Sequence, residues 1–122
     1  MPQEVAWDSW PGGPFKVPRP GNIESVTWQL REYTVKPGEM GEWISEWRSR
    51  IVPLREKLGF RVLGAWTVDG TDQFVWIISY DGPKSWESAD ADYYASPERK
   101  AVDPDPARHL AHTQARLMSQ AR

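Results

Sequence analysis

The sequence contains no cysteine. Disulfides, Cys-ligated zinc, iron–sulfur clusters and thiol nucleophiles are therefore excluded. It has no excess of either charge: 15 basic against 17 acidic side chains leave a formal net of −2. That balance argues against a nucleic-acid or anionic-membrane partner, whose phosphates call for clustered Lys and Arg. No apolar run reaches the length of a membrane span. The N-terminus, with Glu4 and Asp8, lacks the basic-then-apolar layout of a signal peptide and the acid-poor composition of a transit peptide. The expectation is a soluble, cytoplasmic protein. A P-loop, a dinucleotide fingerprint and a G-x-S-x-G nucleophile elbow are also missing. Gly12-Gly13 lies among prolines rather than between a strand and a helix, so it is no phosphate cradle.

What is present in quantity is tryptophan and proline, 8 and 11 in 122 residues. The length fits one domain with a real core. Each indole carries a large apolar area and an N–H that wants a partner. Eight are hard to hide in one small monomeric core, so some are expected at a pocket wall or a subunit interface. Five of the prolines and three glycines fall within residues 1–24. That composition cannot sustain a helix or a central strand, yet it carries Trp7, Trp10 and Phe15. It reads as an arm that packs on its own body or on a partner, preceding a domain over residues 25–122.

The body divides into six elements. Residues 26–35 (VTWQLREYTV) are rich in β-branched and aromatic types and predict a strand ended by Lys36-Pro37-Gly38. Met40, Trp43, Ile44, Trp47, Ile51, Leu54 and Leu58 recur in steps of three and four, the stripe of an amphipathic helix over 39–58 that stops at Gly59. Pro53 removes a backbone donor and predicts a kink near Ser49. Residues 60–68 and 74–80 predict a hairpin around Asp69–Gln73. A second helix follows over 84–95. Ser96-Pro97-Glu98 then starts a short helix, a short turn falls at 107–111, and a last strand covers 112–120. Strand, helix, strand, strand, helix, strand is the ferredoxin-like βαββαβ order, an α+β fold with a four-stranded antiparallel sheet. Both faces of the hairpin are largely apolar, whereas a sheet with one wet face alternates. One chain has helices for one face only. The other face therefore predicts a second copy, two sheets face to face in a dimeric α/β barrel.

Several side chains carry candidate chemistry. Alternation in the first strand places Trp28 and Leu30 on one face and Gln29, Arg31 and Tyr33 on the other. With Trp28 and Leu30 taken as the helix-packed side, Gln29, Arg31 and Tyr33 point into the barrel. A buried Arg31 either meets an acidic group of the protein or awaits an anionic ligand. Tyr33 could donate to the same oxygen, so Arg31 and Tyr33 are the candidate catalytic pair. Trp28, Gln29, Trp66, Trp76 and Tyr80 are the candidate substrate-binding residues. Trp66 and Trp76 stand side by side if the hairpin loop is odd and part if it is even; adjacency, as a flat aromatic wall facing the barrel, is expected. His109 and His112 have no third ligand at motif spacing, and they read as surface or structural. Glu87, Asp90 and Asp92 read as the solvated outer face of the second helix.

Leu30-Arg31-Glu32-Tyr33-Thr34-Val35-Lys36-Pro37-Gly38, then the Trp-rich helix through Val52-Pro53-Leu54, then Gly59-Phe60, Gly64 and Trp66, resemble the NIPSNAP family. The likeness continues through Phe74-Val75-Trp76 and Trp86 to Ser96-Pro97-Glu98-Arg99 and covers about residues 26–119, leaving the arm outside. The resemblance implies a dimeric α/β barrel and little chemistry. Related barrels include cofactor-independent monooxygenases, haem-binding enzymes and small isomerases. The resulting expectation is a homodimer that binds a small apolar or aromatic molecule, with no cofactor and no metal, and that acts as an oxygenase, isomerase or cyclase. The alternatives are a non-enzymatic protein-interaction module and a haem-binding barrel with His109 or His112 as axial ligand.

Overall fold

Thr27–Val35 form strand β1, and its buried side is Gln29, Arg31, Tyr33 and Val35. The computed structural model describes residues 26–121; the arm expected over residues 1–24 lies outside them. The remaining strands are β2 (Phe60–Thr67), β3 (Gln73–Tyr80) and β4 (Leu110–Met118). Their order is β2-β3-β1-β4, every pair antiparallel, which is the ferredoxin-like sheet the element order predicts. Strand β4 begins two residues before its predicted start.

The first helix is interrupted where Pro53 predicts trouble. It runs as α1 (Met40–Glu46), a π-helical segment (Trp47–Ile51) and α2 (Val52–Lys57). The Val52 N–H reaches back to the Trp47 carbonyl, a bond five residues long. Proline has no N–H for the carbonyl four residues before it, and a widened turn centred on Ser49 accommodates that loss. Gly59, at φ +98°, ends α2 in the left-handed region that glycine enters without strain. Helix α3 (Trp86–Ala95) is capped by Ser85, and α4 (Pro97–Lys100) by Ser96, whose hydroxyl accepts from the Arg99 N–H at 3.1 Å. A 3-10 turn (Pro106–His109) leads into β4. Among the described residues no helix is long and apolar enough to cross a membrane.

The core lies between the sheet and these helices. Trp43 and Trp47 pack edge-on against Phe74, with ring centroids 5.6 and 5.1 Å away, and Trp47 meets Trp76 at 5.5 Å. The helix-covered face of β1 is thus the one with Gln29, Arg31 and Tyr33, the reverse of the expected arrangement. Trp28 and Leu30 are on the far face. The reason is that helix α3 supplies a carboxylate for Arg31, so the charged residue is satisfied beneath the helices while Tyr33 and Val35 join the core.

The hairpin loop also corrects an expectation. Thr67 pairs with Phe74 and Trp66 with Val75, so six residues separate the last paired positions. The even loop sends Trp76 inward and Trp66 outward. Trp76 is 1% exposed and Trp66 54%. In β2 the register slips between Val62 and Gly64, with Leu63 as the additional residue. The Trp66 ring lies over Gly64, where a Cβ would stand 3.0 Å from its Cη2.

Candidate functional site

A cavity of about 380 Å³ opens between the sheet and the helices. Gln29, Arg31, Tyr33 and Trp76 form its floor, with Thr113 and Ala115 of β4 at one side. Trp43, Ile51 and Arg55 reach it from the first helix, and Asp90, Tyr93 and Tyr94 from α3. Arg99 stands at its border.

Arg31 is 5% exposed, and four of its five N–H groups are engaged on the floor. Its Nε donates to Gln29 Oε1 at 2.6 Å, its Nη1 to the hydroxyls of Tyr33 at 3.2 Å and Tyr94 at 3.1 Å, and its Nη2 to Asp90 Oδ1 at 3.1 Å. The guanidinium carbon also lies 5.4 Å from the centre of the Trp76 ring. Burial on its own lowers the pKa of Arg31, but electrostatic and hydrogen-bond contacts with Tyr33 and Tyr94 raise it further, so the net shift is upward. Arg31 is a permanent cation. Because both tyrosine oxygens accept from it, each keeps its own O–H proton to donate elsewhere. Burial pushes the Tyr93 hydroxyl pKa up, which keeps that group neutral.

A second guanidinium converges on the same atoms. Arg55, 1% exposed, donates from Nη1 to Asp90 Oδ1 at 2.9 Å and from Nη2 to the Tyr94 hydroxyl at 3.4 Å. Its flat face stacks on the Tyr93 ring at 3.7 Å and on Phe60 at 4.6 Å. Such stacking fixes the plane of the fork and leaves only its edge for acceptors.

Of the residues singled out in the sequence, Arg31, Tyr33, Gln29 and Trp76 come together on the cavity. Trp28 and Trp66 are on the opposite face of the sheet. Tyr80 shares the face of Trp76 but packs on Phe60 at 5.0 Å, away from the cavity lining. Asp90 corrects a further expectation: it is turned inward, not solvated. Its side chain is 26% exposed, while Asp92 pairs with Lys84 outside. Helical spacing held the signal, since Asp90 follows Trp86 by four and precedes Tyr93 and Tyr94 by three and four, all on one face. Arg55 carried the same signal, four residues after Ile51 in the stripe of Trp43, Trp47 and Ile51.

His109 is buried and structural. Its Nδ1 is 2.8 Å from Glu39 Oε1 and its Nε2 3.3 Å from Glu46 Oε2, and Arg108 clamps Glu46 at 2.8 and 2.9 Å. With both ring nitrogens engaged it has none to offer an iron. His112 is exposed on β4, opposite Thr34. Neither histidine lines the cavity.

Solved structures share this architecture. An uncharacterised NIPSNAP domain protein from Burkholderia xenovorans superposes with a TM-score of 0.68 at 20% identity, covering 78% of this chain and 94% of that one. A NIPSNAP family protein of unknown function from Agrobacterium tumefaciens gives 0.70 at 14% identity, over 80% and 89%. A provisionally named antibiotic biosynthesis monooxygenase from Bacteroides thetaiotaomicron gives 0.65 at 14%, over 82% and 93%. At these identities the likeness is one of fold. No curated protein matches the chain. The NIPSNAP family profile matches residues 28–122, from the first strand through the whole sheet and its helices. The chain therefore belongs to the NIPSNAP family.

Proposed function

We propose that the chain is a cytoplasmic homodimer that binds a small aromatic molecule in the cavity between its sheet and its helices. The carrying observation is a cavity of about 380 Å³ whose floor presents Arg31 and Tyr33 beside Trp43 and Trp76. That size and mix of aromatic wall with a few convergent polar groups is the usual make-up of a small-molecule site. Arg31 holds an oxygen of the ligand and Tyr33 donates to the same atom. Such donors favour reactions that build negative charge on oxygen, as cofactor-independent oxygenation, isomerisation or cyclisation does. The cavity sets this reading above an interaction module without one.

Pairing is supported by the sheet face turned from the helices. Leu30, Ile77 and Val75 lie there with the half-exposed Trp66, and a second sheet would cover them. Binding is tested with 1-naphthamide, a neutral flat probe, by quenching of tryptophan fluorescence. The probe should saturate the protein, and Arg31→Met should weaken it about tenfold, as loss of a charge-assisted hydrogen bond does. Absence of saturation, or unchanged affinity in the folded variant, would sink the site. Sedimentation velocity at micromolar concentration should give two subunits, and a single-subunit species would remove the pairing.

A further inference from the structure

We infer that the ligand of this cavity is an aromatic carboxylate, bound in its ionised form between Arg31 and Arg55, with Asp90 as an internal anion occupying part of its place in the empty protein. The inference rests on the cavity reading above and adds the charge of the ligand.

Two observations carry it. The first is a charge imbalance. Arg31 and Arg55 are both buried, and among the described residues both pair with the one carboxylate, Asp90, through the same oxygen. Two buried cations on one shared anion leave a net positive charge facing the cavity. Arg99, also on the cavity, pairs outward with Asp105 at 2.9 Å, so it adds no negative group inside.

The second is an excess of donors. Two guanidiniums own ten N–H groups, and the pair makes six hydrogen bonds here. Arg55 Nε is buried without a partner, and so are Trp43 Nε1, Trp76 Nε1 and Arg99 Nε. These four belong to residues that line the cavity and can only donate; a fifth unmet atom there, the Tyr93 hydroxyl, can donate as well as accept. A buried donor left unmet is costly, so the complementary ligand brings acceptors and negative charge rather than donors. A planar carboxylate has two oxygens with four lone-pair positions and matches the edge of a guanidinium fork. The rings of Tyr33, Trp43 and Trp76 then receive a flat hydrocarbon body. The aromatic stack on Arg55 holds its fork in one plane before the ligand arrives, which limits the entropy lost on binding.

The experiment compares 1-naphthoate with 1-naphthamide, which have the same ring and nearly the same shape but differ in charge. In the wild-type protein at pH 7, isothermal titration should show naphthoate binding at least about tenfold tighter, with an affinity that falls as salt rises. Asp90→Asn keeps an Oδ1 acceptor for both guanidiniums and removes the competing charge. It should tighten naphthoate further and widen its lead over naphthamide. Equal affinities for the two probes in the wild type would overturn the charge assignment while leaving the cavity reading intact. Binding of neither would overturn both. Weaker naphthoate binding in a folded Asp90→Asn protein would overturn the place given to Asp90. If that variant does not fold, the wild-type ratio and Arg55→Gln decide. Arg55→Gln should bring naphthoate down to the affinity of naphthamide, and an unchanged preference would overturn the inference.

Discussion

Removing the shared carboxylate should destabilise the protein more than removing one of the cations it serves. Asp90→Ala strands Arg31, 5% exposed, and Arg55, 1% exposed, with no anion between them. Breaking a buried ion pair from one side costs about 3–5 kcal/mol. A quarter of the Asp90 side chain reaches solvent, so water can approach the gap and the low end, about 3 kcal/mol, applies. Arg31→Met acts differently. Asp90 keeps Arg55 at 2.9 Å, and the unbranched methionine fills most of the space of the arginine stem. Gln29, Tyr33 and Tyr94 lose a donor, but they border a cavity that water can enter. The expected cost is about 1–2 kcal/mol. Urea unfolding followed by tryptophan fluorescence reads both values from the midpoint and slope. The double variant should cost less than the sum of the two, because each removes a group the other served. An Arg31→Met protein as unstable as Asp90→Ala, or an Asp90→Ala protein within about 1 kcal/mol of wild type, would refute the shared-anion reasoning.

Two further outcomes follow from packing and from the buried histidine. Trp76→Ala removes a ring packed on Tyr33, Trp47 and Arg31 and should cost about 3–5 kcal/mol by urea unfolding; a loss below about 1 kcal/mol would mean that the sheet closes over the gap. The hydrogen bond to Glu39 leads in raising the pKa of His109 above its ordinary 6.5, against the opposing effect of burial, and Glu46 adds to the rise. A raised folded value means that this contribution to stability is complete below about pH 6.5 and is lost as pH climbs through the folded value. The urea midpoint should therefore fall across that window in the wild type and fall less in His109→Gln, and equal slopes in the two proteins would refute the placement of the charge.

The fold was legible because each element announces its own period. The stripe from Met40 to Leu58 and the alternation in residues 26–35 need no tertiary information, and their order allows few topologies. Which face of β1 the helices cover was not legible. Trp28 and Leu30 look more like core than Gln29 and Arg31 do, and only the carboxylate on α3, 59 residues away, reverses the choice. Loop parity decided Trp66 and Trp76 in the same way, since one residue moves a side chain across the sheet. The candidate site was half visible. Arg31 and Tyr33 were found because a charge on a strand between aromatic residues demands a partner. Arg55 and Asp90 were on apolar stripes at helical spacing, which sets them apart from Glu56 and Asp92, but a charged residue on a helix is ordinarily solvated, and spacing alone does not supply the partner that would bury it. Their mutual attraction is the missing information, and it exists only once two helices and a strand meet.

The wide turn at Trp47–Ile51 gives the first helix a built-in slack. In a regular helix, dropping one residue would rotate everything beyond it by about 100° and swing the second half off the sheet. Here the surplus residue is confined to one loop of backbone, and the indoles before it and the guanidinium after it share a side. Shortening the chain by one position inside that loop would remove the surplus residue and leave both ends aimed as they are, at the cost of setting Pro53 against the carbonyl that the wide turn now keeps clear. Shortening α1 or α2 would misalign one half against the other. Length variation in this helix therefore has one tolerated address, four residues upstream of the proline.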